Sequence, residues 1–289
     1  MRPLRTLSTV LEMIKIEHTL FALPFAFLGM LLAAGGWPPW RTVFWIVVAM
    51  VGARSAAMAF NRLADHRIDA ANPRTAGRAL PAGLVTRSAV TLFIVASAAL
   101  LLLAAWELNP LAFYLAPLAL AILFFYSYTK RFTWAAHLFL GLSLSGAPLG
   151  AWIAVRGDVR LTPFLLAGAV LTWTAGFDIL YALQDLDFDV RSKLFSVPAR
   201  FGVVGALWIS GALHVLTLLF LALLPATYPQ GLGTAYWIGW AGCLLLIAYQ
   251  HWVVRPGDLS RLNAAFFTAN GALSVWLFAA TALDILASR

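Results

Sequence analysis

An all-α protein threaded several times through a membrane is the fold class this chain predicts, and three observations carry that expectation. Hydrophobic residues make up 62% of the sequence and charged residues only 11%, against roughly 25% charged in an ordinary soluble domain. The apolar residues fall into nine runs, most near the ~20 residues that cross a bilayer as a helix. Lys and Arg gather at alternate ends of those runs, as topology in a membrane requires.

In chain order the runs lie at about 18–36, 42–60, 88–106, 111–126, 134–155, 163–182, 203–224, 234–254 and 264–287, the fourth being the short one. They predict nine transmembrane helices in one domain spanning 1–289, with pseudo-repeat halves at about 1–130 and 131–289. Ahead of the first run, Glu12, Lys15, Glu17 and His18 have the spacing of an amphipathic helix lying in the interface. That run is too long for a signal peptide and lacks a small-residue cleavage site. Fifteen of the 20 Lys and Arg fall on one side, which places the N-terminus in the cytoplasm and, after nine crossings, the C-terminus outside. The net charge of +8 does not indicate nucleic acid, because the basic residues sit in short loops beside apolar helices, where topology and anionic headgroups account for them. Cys243, the single cysteine, lies mid-helix and reads as a packing residue.

The second run leads into RSAAMAFNRLADHRIDAANPRTAGRALPAG, residues 54–83. Asn61, Asp65 and Asp69 recur every four residues, so one continuous helix would align the amide and both carboxylates on one face. Carboxylates stacked in that way repel unless a cation lies between them, and hard oxygen donors suit Mg²⁺. Asn72, Pro73, Arg74, Thr75 and Arg78 follow as a basic turn suited to phosphate. The plain alternative is a solvated helix end balanced by Arg62 and Arg67. A second copy argues against it: Tyr181, Asp185 and Asp189 repeat the spacing of Asn61, Asp65 and Asp69 at a constant offset of 120 residues.

Other polar groups stand in apolar surroundings. Arg54 precedes Asn61 by seven residues and shares its face. It either snorkels to the interface or faces a pocket where a carboxylate could meet it. Asp178 lies seven residues before Asp185, deep enough that a role is expected. The loop Tyr126, Ser127, Tyr128, Thr129, Lys130 and Arg131 reads equally as an interfacial anchor or a ligand contact. The fifth and sixth runs are rich in small residues such as Gly141, Ser145 and Gly146, which let helices approach closely, and Pro148 is placed to bend the fifth. Beyond Gly202 the helices read as scaffold and lipid-facing wall, with His214, His251 and Asn270 as their few polar groups.

Two Asp pairs brought together could hold Mg²⁺ on a diphosphate whose remaining charge meets Arg74, Arg78 and Lys130. The diphosphate becomes a leaving group, and an allylic chain leaves behind a carbocation that apolar walls keep from water. The stretches NRLADHRIDAANPRTAGRALPAG, YSYTKRFT and YALQDLDFDVRSKLFSVPARFG resemble the UbiA superfamily of intramembrane aromatic prenyltransferases. The resemblance implies two four-helix halves around a central cavity, a small cytoplasmic cap, and a place in the bacterial inner membrane. It implies Mg²⁺-dependent transfer of a polyprenyl group from polyprenyl diphosphate to an aromatic acid. The acceptor it suggests is 4-hydroxybenzoate in quinone biosynthesis or, alternatively, a dihydroxynaphthoate in menaquinone biosynthesis.

By the same resemblance, Asn61, Asp65 and Asp69 form the first metal motif and Asp185 with Asp189 the second. Arg74 and Arg78 match the basic cap, Tyr126 and Lys130 the loop that touches diphosphate, and Ser196 a substrate contact. Arg54, Tyr181 and Asp178 face the cavity. Asp65 and Asp185 are implied in catalysis, Arg54 in orienting the acceptor carboxylate, and Asp178 or Asp185 in taking the ring proton. Two positions depart from the common pattern: Arg62 stands where many members carry Asp, and Arg191 to Ser196 contains no glycine. A transporter built on the 120-residue repeat is the reading from another class. The carboxylates' place at helix ends, rather than mid-membrane, speaks against it.

Overall fold

A computed structural model of the chain describes residues 9, 19–255, 257, 259, 262 and 264–287; the interfacial helix expected over Glu12 to His18 lies outside them. The regular elements are helices: α1 (Thr19–Ala34), α2 (Trp40–Ala64), α3 (His66–Ala71), α4 (Arg87–Leu108), α5 (Pro110–Thr129), α6 (Ala136–Arg156), α7 (Leu161–Ala182), α8 (Leu186–Arg191), α9 (Val197–Thr227), α10 (Thr234–Val253) and α11 (Asn270–Ala287). Among the described residues, seven helical stretches, not nine, are long and apolar enough to cross a membrane. The shortfall lies in α1, whose apolar part is the shorter Ala22–Ala34, and in α10, where Tyr, Trp, Gln250 and His251 dilute the aliphatic residues.

Helix ends follow local chemistry. Thr86 caps α4 by accepting from the Ala89 N–H at 3.2 Å, and Asn109 caps α5 through Ala112 at 3.0 Å. With Pro110 in the first position, α5 runs 20 residues to Thr129. The run expected to be short is therefore full length, and Tyr126 to Thr129, read as loop, form its last turn. Gly157 ends α6 in the left-handed conformation, with φ 66°. Within α9, Gly202 has φ 68° and ψ −178°, which interrupts the helix one turn and a half after its start.

The chain divides into two compact units. In the first, residues 40–128, α2 packs along α4 so closely that a β-carbon on Gly52 would stand 2.8 Å from backbone atoms of Ser97 and Leu101. Ala59, Leu80, Val85, Val90 and Ile94 fill the space beside it, and Phe60 stacks on Phe124 with centroids 4.3 Å apart.

The second unit comprises residues 20–39 and 129–289. The small residues expected to admit close packing do so: Gly141 of α6 lies directly on the Leu171 backbone of α7, and Gly29 of α1 on that of Pro148, through which α6 continues without a break. The buried Trp173 ring meets Phe25 at 5.0 Å and Phe177 at 4.8 Å. The polar residues of the last helices are not scattered over a lipid-facing wall but meet inside this unit. Asn270 accepts from the Trp173 indole at 3.0 Å and from Gln250 at 2.8 Å. His214 and His251 join at 2.8 Å, and Thr172 bonds Thr217 at 2.9 Å.

Candidate active site

The first Asp motif is not one straight helix. α2 stops at Ala64, Asp65 takes φ −89° and ψ 5°, and α3 resumes at His66. Asp65 donates its backbone N–H to Asn61 at 2.9 Å and Asp69 to Asp65 at 2.8 Å, so the four-residue spacing survives the bend. The Asn61 amide donates to Asp65 Oδ2 at 3.2 Å and to Ser127 Oγ at 3.4 Å. Asp65 and Asp69 are only 2% and 4% exposed, so burial makes their charge matter.

Cations surround Asp69. Arg78 donates to its Oδ1 at 2.7 Å, and Arg62 lies 3.9 Å from its Oδ2. Arg78, expected to face a ligand phosphate, thus holds the end of the motif. Arg62, the departure in the sequence, is not a surface counter-charge: its side chain is only 11% exposed, and its Nε is buried without a hydrogen-bond partner. The basic turn is held by Asn72, whose side-chain oxygen accepts from the Arg74 N–H at 2.9 Å, and by Thr75, whose hydroxyl donates to the Asp69 carbonyl at 3.0 Å. Arg54 sits half-buried on α2, two turns before Asn61. Tyr126 is half-buried at the end of α5, near Arg62. Asp69 Oδ2 is buried without a hydrogen-bond partner. An orphaned hard oxygen beside a second carboxylate and an amide is a donor set that fits Mg²⁺.

The second motif repeats this backbone. A 3₁₀ turn, Leu183–Asp185, follows α7, Asp185 takes φ −103° and ψ 5°, and α8 begins. Both ends of α8 are offset from those of α3 by 120 residues. The setting differs: Asp185 and Asp189 are half-buried. Asp189 is hydrogen-bonded by Ser196, and Lys130 lies near enough to act on its charge. The backbone N–H of Phe195 donates to the Lys130 carbonyl at 2.8 Å, and that of Leu194 to Asp189 at 2.9 Å. The chain reverses between them at Lys193, whose φ of 53° is left-handed. This is the segment that contains no glycine. Ser196 also caps α9 through the Ala199 N–H at 3.2 Å.

Asp178, on α7, is bonded through Oδ2 to His137 Nδ1 at 2.7 Å. The other ring nitrogen of His137 accepts the Val197 N–H at 3.2 Å. Tyr181, one turn further along α7, places its ring 6.3 Å from that of Phe267. His137 escaped the sequence reading, since its only signal was a lone histidine opening an apolar run just after TKRFT.

The chain matches the model of the UbiA prenyltransferase family over residues 22–277. It is 32% identical to the 4-hydroxybenzoate octaprenyltransferase of Vibrio campbellii over 243 residues, 84% of each chain. With the protein of that name from Vibrio cholerae it shares 33% over 259 residues, 86% of this chain and 89% of the other. Among solved structures, a UbiA homologue from Aeropyrum pernix K1 superposes with a TM-score of 0.84 at 35% identity, covering 94% of this chain and 99% of that one. A UbiA homologue from Archaeoglobus fulgidus bound to GPP and Mg²⁺ shares the fold, with a TM-score of 0.75 at 20% identity over 96% and 99%. Matching carboxylate turns, apolar helices and a family match across most of the sequence agree: the chain belongs to the UbiA prenyltransferase family.

Proposed function

We propose that this protein transfers a polyprenyl group from polyprenyl diphosphate to the ring of an aromatic acid, 4-hydroxybenzoate, with Mg²⁺ as its metal. The observation that carries the reading is the duplicated turn, Asp65 with Asp69 and Asp185 with Asp189, built on the same backbone bend and followed each time by basic residues. The octaprenyltransferase names of the Vibrio relatives support the acceptor. Asn61, Asp65 and Asp69 would hold metal at the first turn, and Asp185 and Asp189 at the second. Bound there, Mg²⁺ neutralises the charge that grows on the diphosphate as its bond to C1 ionises.

The chain's own residues do the rest. Arg74, Lys130, Tyr126 and Ser196 bind the phosphate oxygens, while Arg78 reaches them from its place on Asp69. Arg54 orients the acceptor carboxylate in bidentate fashion. The prenyl C1 loses the diphosphate together with its bonding electrons, and the ring carbon ortho to the hydroxyl attacks. A carboxylate then takes the ring proton, which restores aromaticity. Asp178 suits this step better than Asp185, since a metal ligand is a poor base. Tyr181 lines the approach. The frame for this chemistry is an all-helical membrane domain with its cap and N-terminus cytoplasmic and its C-terminus outside, in a bacterial inner membrane, and with lipid rather than nucleic acid as surroundings.

The test is prenyl transfer by the purified protein in detergent, with GPP and a panel of aromatic acids, with and without Mg²⁺. Prenylated 4-hydroxybenzoate should form only with Mg²⁺ and vanish in Asp185→Ala. Diphosphate released with a naphthoate but not with a benzoate would move the acceptor. Absence of release with every acceptor would end the enzyme reading.

A further inference from the structure

We infer that His137 is the positioning residue for Asp178, holding one carboxylate oxygen so that the other is presented to the substrate. This rests on the prenyl-transfer reading above and deepens it. The two side chains are 41 residues apart in sequence and bonded at 2.7 Å. Their exposures are unequal: 5% for the imidazole and 22% for the carboxylate. The histidine is thus the inner member of the pair and the aspartate the outer one, so His137 itself meets no substrate.

The ring's chemistry is fixed by its second contact. The Val197 backbone N–H can only donate, so His137 Nε2 must accept it. The ring proton therefore sits on Nδ1 and is donated to Asp178 Oδ2. With both nitrogens engaged in opposite senses, the ring can neither flip nor exchange tautomers without losing a buried hydrogen bond. Among the described residues, Asp178 Oδ1 has no hydrogen-bond partner. When the ring carbon that has bonded to prenyl C1 gives up its C–H electron pair to the ring, the proton passes to Oδ1, and His137 keeps its own proton on Nδ1 throughout.

The same contact ties this carboxylate to the metal motif. Val197 follows Ser196, whose hydroxyl bonds Asp189. His137, at the start of α6, so joins the carboxylate on α7 to the first turn of α9. A residue that only packed would leave kcat per folded molecule unchanged.

Steady-state kinetics of the purified protein test this, with GPP and 4-hydroxybenzoate in detergent with Mg²⁺. His137→Ala should lower kcat by about 10- to 100-fold, the scale of losing an outer-shell orienting partner, with KM for GPP within about twofold of wild type. His137→Asn, whose amide can donate near the place of Nδ1–H, should recover most of that loss. Asp178→Asn combined with His137→Ala should be no slower than Asp178→Asn alone, because one acts through the other. Unchanged kcat in His137→Ala, or losses that multiply in the double variant, would overturn the inference. ¹⁵N NMR of histidine-labelled wild type needs no variant to fold: a protonated Nδ1 and bare Nε2 on His137 are expected, and the reverse tautomer overturns the inference. A wild type that forms no prenylated product while showing the expected tautomer removes the function reading, and the inference with it.

Discussion

The two Asp turns share a backbone and differ in how their charge is held. In the first, Asp65 and Asp69 are almost wholly buried, and Asp69 is clasped by Arg78 and approached by Arg62. In the second, Asp185 and Asp189 are half-buried, and Asp189 leans on a hydroxyl, Ser196. A buried carboxylate cannot remain ionised without partners, so the first turn carries its own cations. The second can leave its charge to solvent and to ligand. On the prenyl-transfer reading, one turn would serve the fold as well as the ligand, whereas the other would serve the ligand.

The largest effect expected treats the turns alike. Asp65→Ala and Asp185→Ala should each reduce prenyl transfer by about 10³-fold, roughly 4 kcal/mol of transition-state stabilisation; a turn whose variant keeps near wild-type kcat/KM is not part of the site. The next separates them. Asp69→Ala leaves Arg62 and Arg78 facing each other without a counter-charge and should destabilise by about 2–4 kcal/mol, seen as a fall in Tm in metal-free detergent solution. Asp189→Ala, removing a half-exposed group, should move Tm little, and equal falls would erase the distinction. A smaller effect isolates Arg62. Arg62→Gln removes the internal cation, so adding Mg²⁺ should raise the variant's Tm more than it raises that of wild type. An unchanged Mg²⁺ response would mean that Arg62 does not share those carboxylates. The smallest concerns the second turn's reversal: Lys193→Gly relieves a left-handed lysine and should leave stability equal or raised by at most about 1 kcal/mol, read as an equal or higher Tm.

Much of this was legible in the sequence, for identifiable reasons. Apolar runs of membrane length report helices directly, and the observed bounds of α2, α4 and α7 lie within a few residues of those runs. The 120-residue repeat reported a shared local structure before any backbone was known. The bends at Asp65 and Asp185 were not legible, because i to i+4 spacing is kept whether or not the residue between leaves helical dihedrals. The place of Arg62 between Asp69 and Arg78 was not legible either, because Arg78 comes from later in the chain. His137 was hidden for the same reason, as its partners lie 41 and 60 residues away.

The bonds from Asn270 to Trp173 and Gln250 bear on how the protein is made. A segment leaving the ribosome is judged by the membrane insertion machinery on its own apolarity, and a Gln or Asn entering lipid alone is disfavoured. α10 carries Gln250 and His251 and is the long helix of the second unit that falls short on composition. Among the described residues, its amide nitrogen finds its acceptor 20 positions later, its amide oxygen is buried without a partner, and its histidine pairs with His214 on the helix before it. As a span, α10 would depend on both neighbours arriving with it, so the last three helices would enter the bilayer as a group.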